Sequence, residues 1–119
     1  MSVILVVDDE PGIAALVSMS FGNPEVEVVR ASNLPDAKAQ AMKHLPSAIL
    51  LDIALGSEDG LDFLTDRDPS IAEIPVIVCS IHDSRMAEAL ERGAVSFLKK
   101  PFRREELRAV LADYIGASR

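Results

Sequence analysis

The sequence predicts an α/β fold in which five βα units form a doubly wound sandwich around a parallel sheet. Five short runs rich in Val, Ile and Leu, at residues 3–7, 26–29, 48–51, 75–79 and 95–98, alternate with longer helical patterns. Most of these runs hardly alternate with polar residues, which is typical of parallel strands covered by helices on both faces. With 119 residues, 49 % of them apolar, the chain has the size of one globular domain, residues 1–119.

The second run is the weakest strand, because Glu25 and Glu27 alternate with its valines. This pattern favours an edge strand with one face wetter than the other. The strand order 2-1-3-4-5, the flavodoxin-like arrangement, gives right-handed crossovers and a switch point between strands 1 and 3.

The first two helices are predicted from their prolines and their apolar periodicity. Pro11 suits the first turn of a helix with the apolar face Ile13, Leu16, Val17 and Phe21. Asn33 is the predicted N-cap of the second helix, with Pro35 in its first turn. The residues of the second helix predicted to face inward are Ala37, Ala41 and Leu45.

The last three helices follow the same logic. Asp59 and Gly60 precede a short third helix built on Leu61 and Leu64. Asp83 or Ser84 is the predicted cap of the fourth helix, and Gly93 is predicted to end it. The fifth helix has the clearest periodicity, at Leu107, Val110, Leu111, Tyr114 and Ile115.

Charge and cysteine content limit the classes of function. The formal net charge of −7 disfavours direct binding to nucleic acid or to an anionic membrane, because their phosphates would be repelled. The lone cysteine, Cys79, forms no internal disulfide, which fits a reducing compartment. No apolar run reaches about 18 residues, and no basic segment precedes the first run as in a signal peptide. We therefore expect a cytoplasmic protein.

Polar residues follow four of the five predicted strands. They are Asp8, Asp9 and Glu10 after the first strand, Asp52 after the third, Ser80 after the fourth, and Lys99 and Lys100 after the fifth. The carboxyl ends of parallel strands share one edge of the sheet, which is where such folds bind ligands. Because strands 1 and 3 are neighbours in the predicted order, Asp8, Asp9 and Asp52 are expected to converge.

Three converging carboxylates repel one another, and a hard cation with oxygen ligands relieves that repulsion. Mg²⁺ is the expected ion, with Mn²⁺ as the alternative, since Mg²⁺ needs few carboxylates and keeps waters that a phosphate can displace. A carboxylate beside such an ion, a lysine and a hydroxyl is equipped to attack phosphorus and form an acyl phosphate.

The sequence resembles the receiver domains of two-component response regulators over its whole length. The matching elements are Val7-Asp8-Asp9-Glu10, Leu51-Asp52, Ser80 and Lys100-Pro101-Phe102, in the family's order. Each element is weak alone, but the set is specific because every member stands at a predicted strand end. The resemblance implies a signalling switch that accepts a phosphoryl group from a histidine kinase or a phosphotransfer protein. It also implies that a downstream protein or a linked output domain reads the face made by helix 4, strand 5 and helix 5.

The resemblance also implies a role for each site residue. Asp52 would be the phosphoacceptor and a metal ligand. Asp8 and Asp9 would be the acidic pair, with Asp9 the more direct ligand. The backbone carbonyl of Ala54 would complete the protein ligands of the metal. Lys100 would pair with Asp52 or its phosphoryl group, and the Lys100–Pro101 bond is often cis in this family. Ser80 and Phe97 match the family's switch pair.

Structural roles compete with these assignments. Asp8 and Asp9 could serve simply as caps of the next helix. Ser80 could serve simply to hydrogen-bond nearby backbone, and Phe97 could be an ordinary core residue. His44 and His82 read as surface or loop residues. Two other functions also stay open: a receiver-like scaffold that needs no phosphorylation, and a small Mg²⁺-dependent aspartyl phosphohydrolase. Because the domain would catalyse only its own phosphorylation and dephosphorylation, we do not expect a turnover enzyme.

Gly56 and Ile81 are among the residues that depart from the family pattern. Gly56 stands where proline is usual, which predicts a more mobile loop after Asp52. Ile81 stands where a small residue is usual, and its bulk is expected to restrict access to the phosphoryl group. The sequence also leaves open whether the chain is a stand-alone receiver or a piece of a longer regulator.

Overall fold

The computed structural model describes residues 2–21 and 26–115 and is organised around one parallel five-stranded sheet. The strands are β1 (Ser2–Val7), β2 (Val26–Ala31), β3 (Ala48–Asp52), β4 (Val76–Ser80) and β5 (Ser96–Lys99). Their order is β2-β1-β3-β4-β5, and all four neighbouring pairs are parallel, so the predicted order is confirmed. The edge position of β2 and the exposure of Glu27 are also as predicted, while Glu25 lies outside the described residues.

Five helices cover the two faces of this sheet. They are α1 (Gly12–Phe21), α2 (Leu34–His44), α3 (Asp62–Thr65), α4 (Met86–Glu91) and α5 (Arg104–Ile115). Ile4 and Val6 of β1 belong to the apolar cluster that contains residues of α1 and α5, whereas Leu5 and Val7 belong to the cluster with α2, α3 and α4. Because successive strand residues point to opposite faces, this split explains why the central strands are apolar throughout.

The helix caps were predicted with mixed success. The Asn33 side chain accepts a hydrogen bond from the Asp36 N–H at 2.9 Å, and Gly93 follows α4 with φ +112°, so both signals are confirmed. The prediction of Asp83 or Ser84 as the cap of the fourth helix was wrong. Both lie within a 3₁₀ turn, Asp83–Arg85, that precedes α4, and neither that turn nor α4 has a side-chain cap.

The prediction that Leu45 faces inward was also wrong. Leu45 ends α2 in the left-handed conformation, with φ 45°, and its side chain is 61 % exposed. The helical spacing extends to Leu45, but the helix does not, because the chain turns there toward β3. Ala37 and Ala41 of the same helix are fully buried, as predicted.

Some elements were not predicted. After β3 the chain forms a two-residue antiparallel ladder, Ala54–Leu55 with Glu58–Asp59, and Gly56 in its turn has φ +61°. A 3₁₀ turn at Pro69–Ile71 follows α3. No helix within residues 2–21 and 26–115 has the length and apolarity to span a bilayer.

Candidate functional site

Two aspartates lie buried at the carboxyl edge of the sheet. Asp52 is the last residue of β3 and is 8 % exposed, while Asp8 directly follows β1 and is 2 % exposed. They continue the alternation of Leu50 and Val6, respectively, and therefore point to the face covered by α1 and α5. The convergence of these two carboxylates was expected from the strand order alone.

A lysine after the last strand forms ion pairs with both carboxylates. The Lys100 ammonium lies 3.3 Å from Asp52 Oδ2 and 3.5 Å from Asp8 Oδ2. Lys100 directly follows β5, its N–H donates to the Ser80 carbonyl at 2.7 Å, and the Lys100–Pro101 peptide bond is cis. One ammonium thus serves two acids, which leaves a net negative charge between them.

The electrostatics of the site follow from burial and from this sharing. Burial raises the pKa of Asp52, and the nearby charge of Asp8 raises it further; Lys100 and the Ala54 N–H, which donates to Asp52 Oδ1 at 3.2 Å, oppose the rise without cancelling it. Burial alone would lower the pKa of Lys100, but Asp52 and Asp8 outweigh burial and raise it. Lys100 therefore remains a cation at neutral pH.

Three acids after β1 form a group that suits a hard cation. Carboxylate oxygens of Asp8, Asp9 and Glu10 lie within 4.8 Å of one another, and Asp9 and Glu10 are exposed. Asp8 also accepts a hydrogen bond from the Glu10 N–H at 2.9 Å, so its capping role and its place in the acidic group coexist. Oxygen ligands without thiolate or imidazole fit Mg²⁺ or Mn²⁺ better than Zn²⁺.

The hydroxyl and the aromatic residue predicted as a switch pair lie on neighbouring strands. Ser80 ends β4 and pairs with Lys99, while Phe97 pairs with Val78. Because strand residues two apart share a face, Ser80 and Phe97 lie on the same side of the sheet. Ser80 is buried and accepts a hydrogen bond from the His82 N–H at 3.1 Å, and half-buried Phe97 packs on the core cluster of that side.

A cleft of about 730 Å³ opens over these groups. Asp9, Asp52, Ser80 and Lys100 line it, together with residues of the loops that follow β3 and β4. The Ile81 side chain is 60 % exposed and lines both this cleft and an adjoining apolar cleft of about 460 Å³. Ile81 therefore lines the same cleft as Asp52, and its restriction of access to the phosphoryl group stays a prediction.

Comparison with known proteins decides the family. A family model described as "Response regulator receiver domain" matches residues 4–112. The chain belongs to this family.

Two curated relatives are longer than this chain and match it over part of their length. The chain is 39 % identical over 112 residues to a protein-glutamate methylesterase/protein-glutamine glutaminase of Cereibacter sphaeroides, covering 87 % of this chain and 30 % of the relative. It is 34 % identical over 113 residues to the KDP operon transcriptional regulatory protein KdpE of Escherichia coli, covering 93 % of this chain and 50 % of the relative. The chain thus spans half or less of these two relatives.

Solved structures show the same fold. The chemotaxis protein CheY4 of Vibrio cholerae matches with a TM-score of 0.85 and 26 % identity, covering 96 % of this chain and 98 % of that one. The receiver domain of NtrX from Brucella abortus matches with a TM-score of 0.81 and 31 % identity, covering 95 % and 98 %. Receiver domains are thus its structural relatives at full domain length.

Three residues around the receiver site escaped the sequence reasoning as functional candidates. Gly60 packs directly on the backbone of Asp52 and Ile53. Arg85 lines the cleft and forms a two-pronged ion pair with Asp59, at 3.0 and 2.9 Å. The sequence indicates Asp59 and Gly60 only as the start of a helix. The ion pair had no sequence signal, because its partners are 26 residues apart and join two loops.

Proposed function

We propose that this receiver domain is a cytoplasmic phosphorylation switch whose acceptor is Asp52. The observation that carries the proposal is the position of the Lys100 ammonium, 3.3 Å from Asp52 and 3.5 Å from Asp8 at the end of three strands. A histidine kinase or a phosphotransfer protein would be the donor. Asp52 Oδ attacks phosphorus, the bond from phosphorus to the donor breaks, and the donor leaves with the electron pair of that bond.

The residues of the chain divide the work of this transfer. Lys100 neutralises charge on the phosphoryl oxygens. The Ser80 hydroxyl, which accepts a hydrogen bond from the His82 N–H in the resting protein, donates to the phosphoryl group. Asp8, Asp9, Asp52 and the Ala54 carbonyl would hold Mg²⁺ or Mn²⁺. When bound, the metal would offset the repulsion between the acids and the incoming phosphate.

The output surface would be the face made by α4, β5 and α5. Met86, Leu90 and Val95, in α4 and just before β5, are between 43 % and 49 % exposed although all three are large and apolar. Large apolar side chains exposed on one segment favour a protein-binding surface there. A phosphoryl group would shift Ser80 and Phe97 toward the active arrangement, provided that it contacts that arrangement better than the resting one.

Intact mass after incubation with acetyl phosphate and Mg²⁺ tests the proposal. We expect one added phosphoryl group in the parent protein and in Asp113→Asn, which removes an exposed acid of α5, and none in Asp52→Asn. Steady release of phosphate with turnover would favour the phosphohydrolase. No adduct at all would favour the scaffold that works without phosphorylation, and the proposal would then be wrong.

A domain that only accepts and loses a phosphoryl group would be a regulator rather than an enzyme with an external substrate. Its methylesterase relative is an enzyme by name, but this chain covers 30 % of that protein. A linked output domain or a separate downstream protein would therefore supply the response. We propose no contact of this domain with nucleic acid or membrane, because its formal net charge of −7 repels both.

A further inference from the structure

The most extensive ion-pair network among the described residues lies beside the phosphoacceptor. Two nitrogens of the Arg85 guanidinium donate to Asp59, at 3.0 and 2.9 Å, and its Nε donates to Glu88 at 3.0 Å. Arg92 adds contacts with Glu88 at 2.6 Å and with Asp62 at 3.3 Å. The network thus joins the ladder after β3 to the beginning of α4.

Arg85 differs from Arg92 in its relation to the site. Arg85 lines the same cleft as Asp52 and Lys100, whereas Arg92 is not among the residues that line it. Arg85 also ends the 3₁₀ turn that begins three residues after Ser80. The Asp59–Arg85 pair therefore connects the segment that follows Asp52 with the segment that follows Ser80.

Phosphorylation of Asp52 would add negative charge to a cleft in which Lys100 and the proposed metal are already shared with the acids, so a second side-chain cation would be favourable. A phosphoryl group brings a charge of about −1.5 to −2, while the Lys100 ammonium is already shared by Asp8 and Asp52. A guanidinium matches a phosphoryl group as well as it matches a carboxylate, since two parallel N–H groups can donate to two oxygens.

We propose that Arg85 is a second phosphoryl-binding cation of the site, held by Asp59 in the resting protein and captured by the phosphoryl group on Asp52. The inference rests on the proposed phosphorylation of Asp52 and adds a residue to it. Asp59 and the phosphoryl group would then compete for one guanidinium.

Moving Arg85 from Asp59 to the phosphoryl group should cost little free energy, because Asp59 and Glu88 each keep another hydrogen-bond partner. Asp59 Oδ1 keeps the hydrogen bond from the Leu61 N–H at 3.1 Å, and Glu88 Oε2 keeps Arg92 at 2.6 Å. Since Arg85 directly precedes Met86, the first residue of α4, its movement would displace the start of that helix. The phosphoryl group would thereby reach the α4 surface by a route separate from Ser80 and Phe97.

Binding of beryllium fluoride, a stable mimic of a phosphoryl group on a carboxylate, tests the competition. Affinity is measured in Mg²⁺ for the full chain and its variants. We expect Arg85→Gln to weaken binding about fivefold, and Asp59→Asn to strengthen it about threefold, because the Asp59 carboxylate then no longer competes for the arginine. The double variant should behave like Arg85→Gln, and the matched control Arg92→Gln should bind like the parent.

The opposite signs are decisive, because a purely structural ion pair would make both single variants change in the same direction. Equal affinity of parent and Arg85→Gln, or weaker binding by Asp59→Asn, would overturn the inference. If the parent itself takes neither beryllium fluoride nor a phosphoryl group, the proposed function fails first. Should a variant fail to fold, the Nε–H resonance of Arg85 in the parent should shift on beryllium fluoride addition while that of Arg92 stays; an unmoved Arg85 resonance would contradict the inference.

Discussion

Gly60 lies against the backbone of Asp52 so closely that no side chain fits between them. A Cβ on Gly60 would overlap the Asp52 carbonyl oxygen and would lie 2.8 Å from Ile53 Cα. The Gly60 N–H also donates to the Ile53 carbonyl at 2.7 Å, which fixes the approach. The position of the proposed acceptor thus depends on a residue with no functional group.

Gly60→Ala should therefore destabilise the fold. The atoms in the way are backbone atoms, which cannot rotate aside, so we expect a loss of about 2–3 kcal/mol in the free energy of unfolding. Urea denaturation measures it. Gly12→Ala is the matched control, because a Cβ there meets nothing within 4 Å; it should be neutral or stabilising by up to about 1 kcal/mol. Similar behaviour of the two variants would contradict the packing explanation.

Replacing Leu45 should change the free energy of unfolding in the opposite direction. It holds the left-handed conformation, φ 45°, at the end of α2, and its side chain is 61 % exposed. Because a side chain other than glycine strains that conformation and little packing is lost, Leu45→Gly should stabilise the protein by about 0.5–1 kcal/mol. Met42→Gly, at an exposed position inside the same helix, should instead destabilise it by about 1 kcal/mol. Thermal unfolding of both variants checks the pair of signs.

The Asp59–Arg85 pair predicts a dependence of stability on pH. The hydrogen bonds from Arg85 lower the pKa of Asp59 below its usual 3.8, so the folded state binds the Asp59 proton less tightly than the unfolded state does. The contribution is complete above pH 3.8 and is lost as the pH falls through the lowered pKa. Asp59→Asn should cost about 0.5 kcal/mol at pH 7, a small value because the pair is partly exposed.

Urea denaturation of the parent and Asp59→Asn between pH 2 and pH 7 measures that difference, which should shrink toward zero at the acid end. In an Arg85→Gln background the same substitution should have little effect at any pH. A difference that persists undiminished at low pH would show that the pair is not its source.

The fold and much of the site were predictable because strand ends in a parallel sheet must meet. Asp8, Asp52 and Lys100 were each placed at a strand end from local apolar runs, and the strand order then brought them together. Burial of the central strands on both faces made those runs easy to find. Apolar runs and strand ends are local features of the sequence, so they give no information about contacts between distant loops.

The two errors lie at helix ends and have local causes, whereas the omissions depend on contacts distant in sequence. Helical spacing continues to Leu45, but Pro46 directly after it is a local signal that the helix ends there, and this signal outweighs the periodicity. Asp83 and Ser84 are good capping residues, but a 3₁₀ turn occupies their position. The Arg85–Asp59 pair and the packing of Gly60 on Asp52 exist only once two loops have been folded together, so no spacing rule could find them.

Removal of the metal should be visible in stability. If Mg²⁺ binds to the acids after β1 and to Asp52, it stabilises the folded state by about 1.4 kcal/mol at ten times its dissociation constant. We expect the melting temperature of the parent to rise with added Mg²⁺ and to return with a chelator. Asp52→Asn and Asp9→Asn should show little of this rise, whereas the exposed-acid control Asp113→Asn should keep it. An equal rise in all four proteins would point to a general salt effect.

The Ile81 side chain should lengthen the lifetime of the acyl phosphate on Asp52. This side chain lines the cleft that contains Asp52 and is 60 % exposed, so shortening it should open the cleft to water with little loss of core packing. We expect the phosphoryl group to be lost from Ile81→Ala about threefold faster than from the parent, equivalent to roughly 0.6 kcal/mol in the barrier. Leu90→Ala, which shortens an exposed apolar side chain of α4 that does not line the cleft, should keep the parent rate. Decay followed by intact mass compares the three, and an Ile81→Ala adduct that lasted as long as the parent's would mean that water reaches Asp52 by another path.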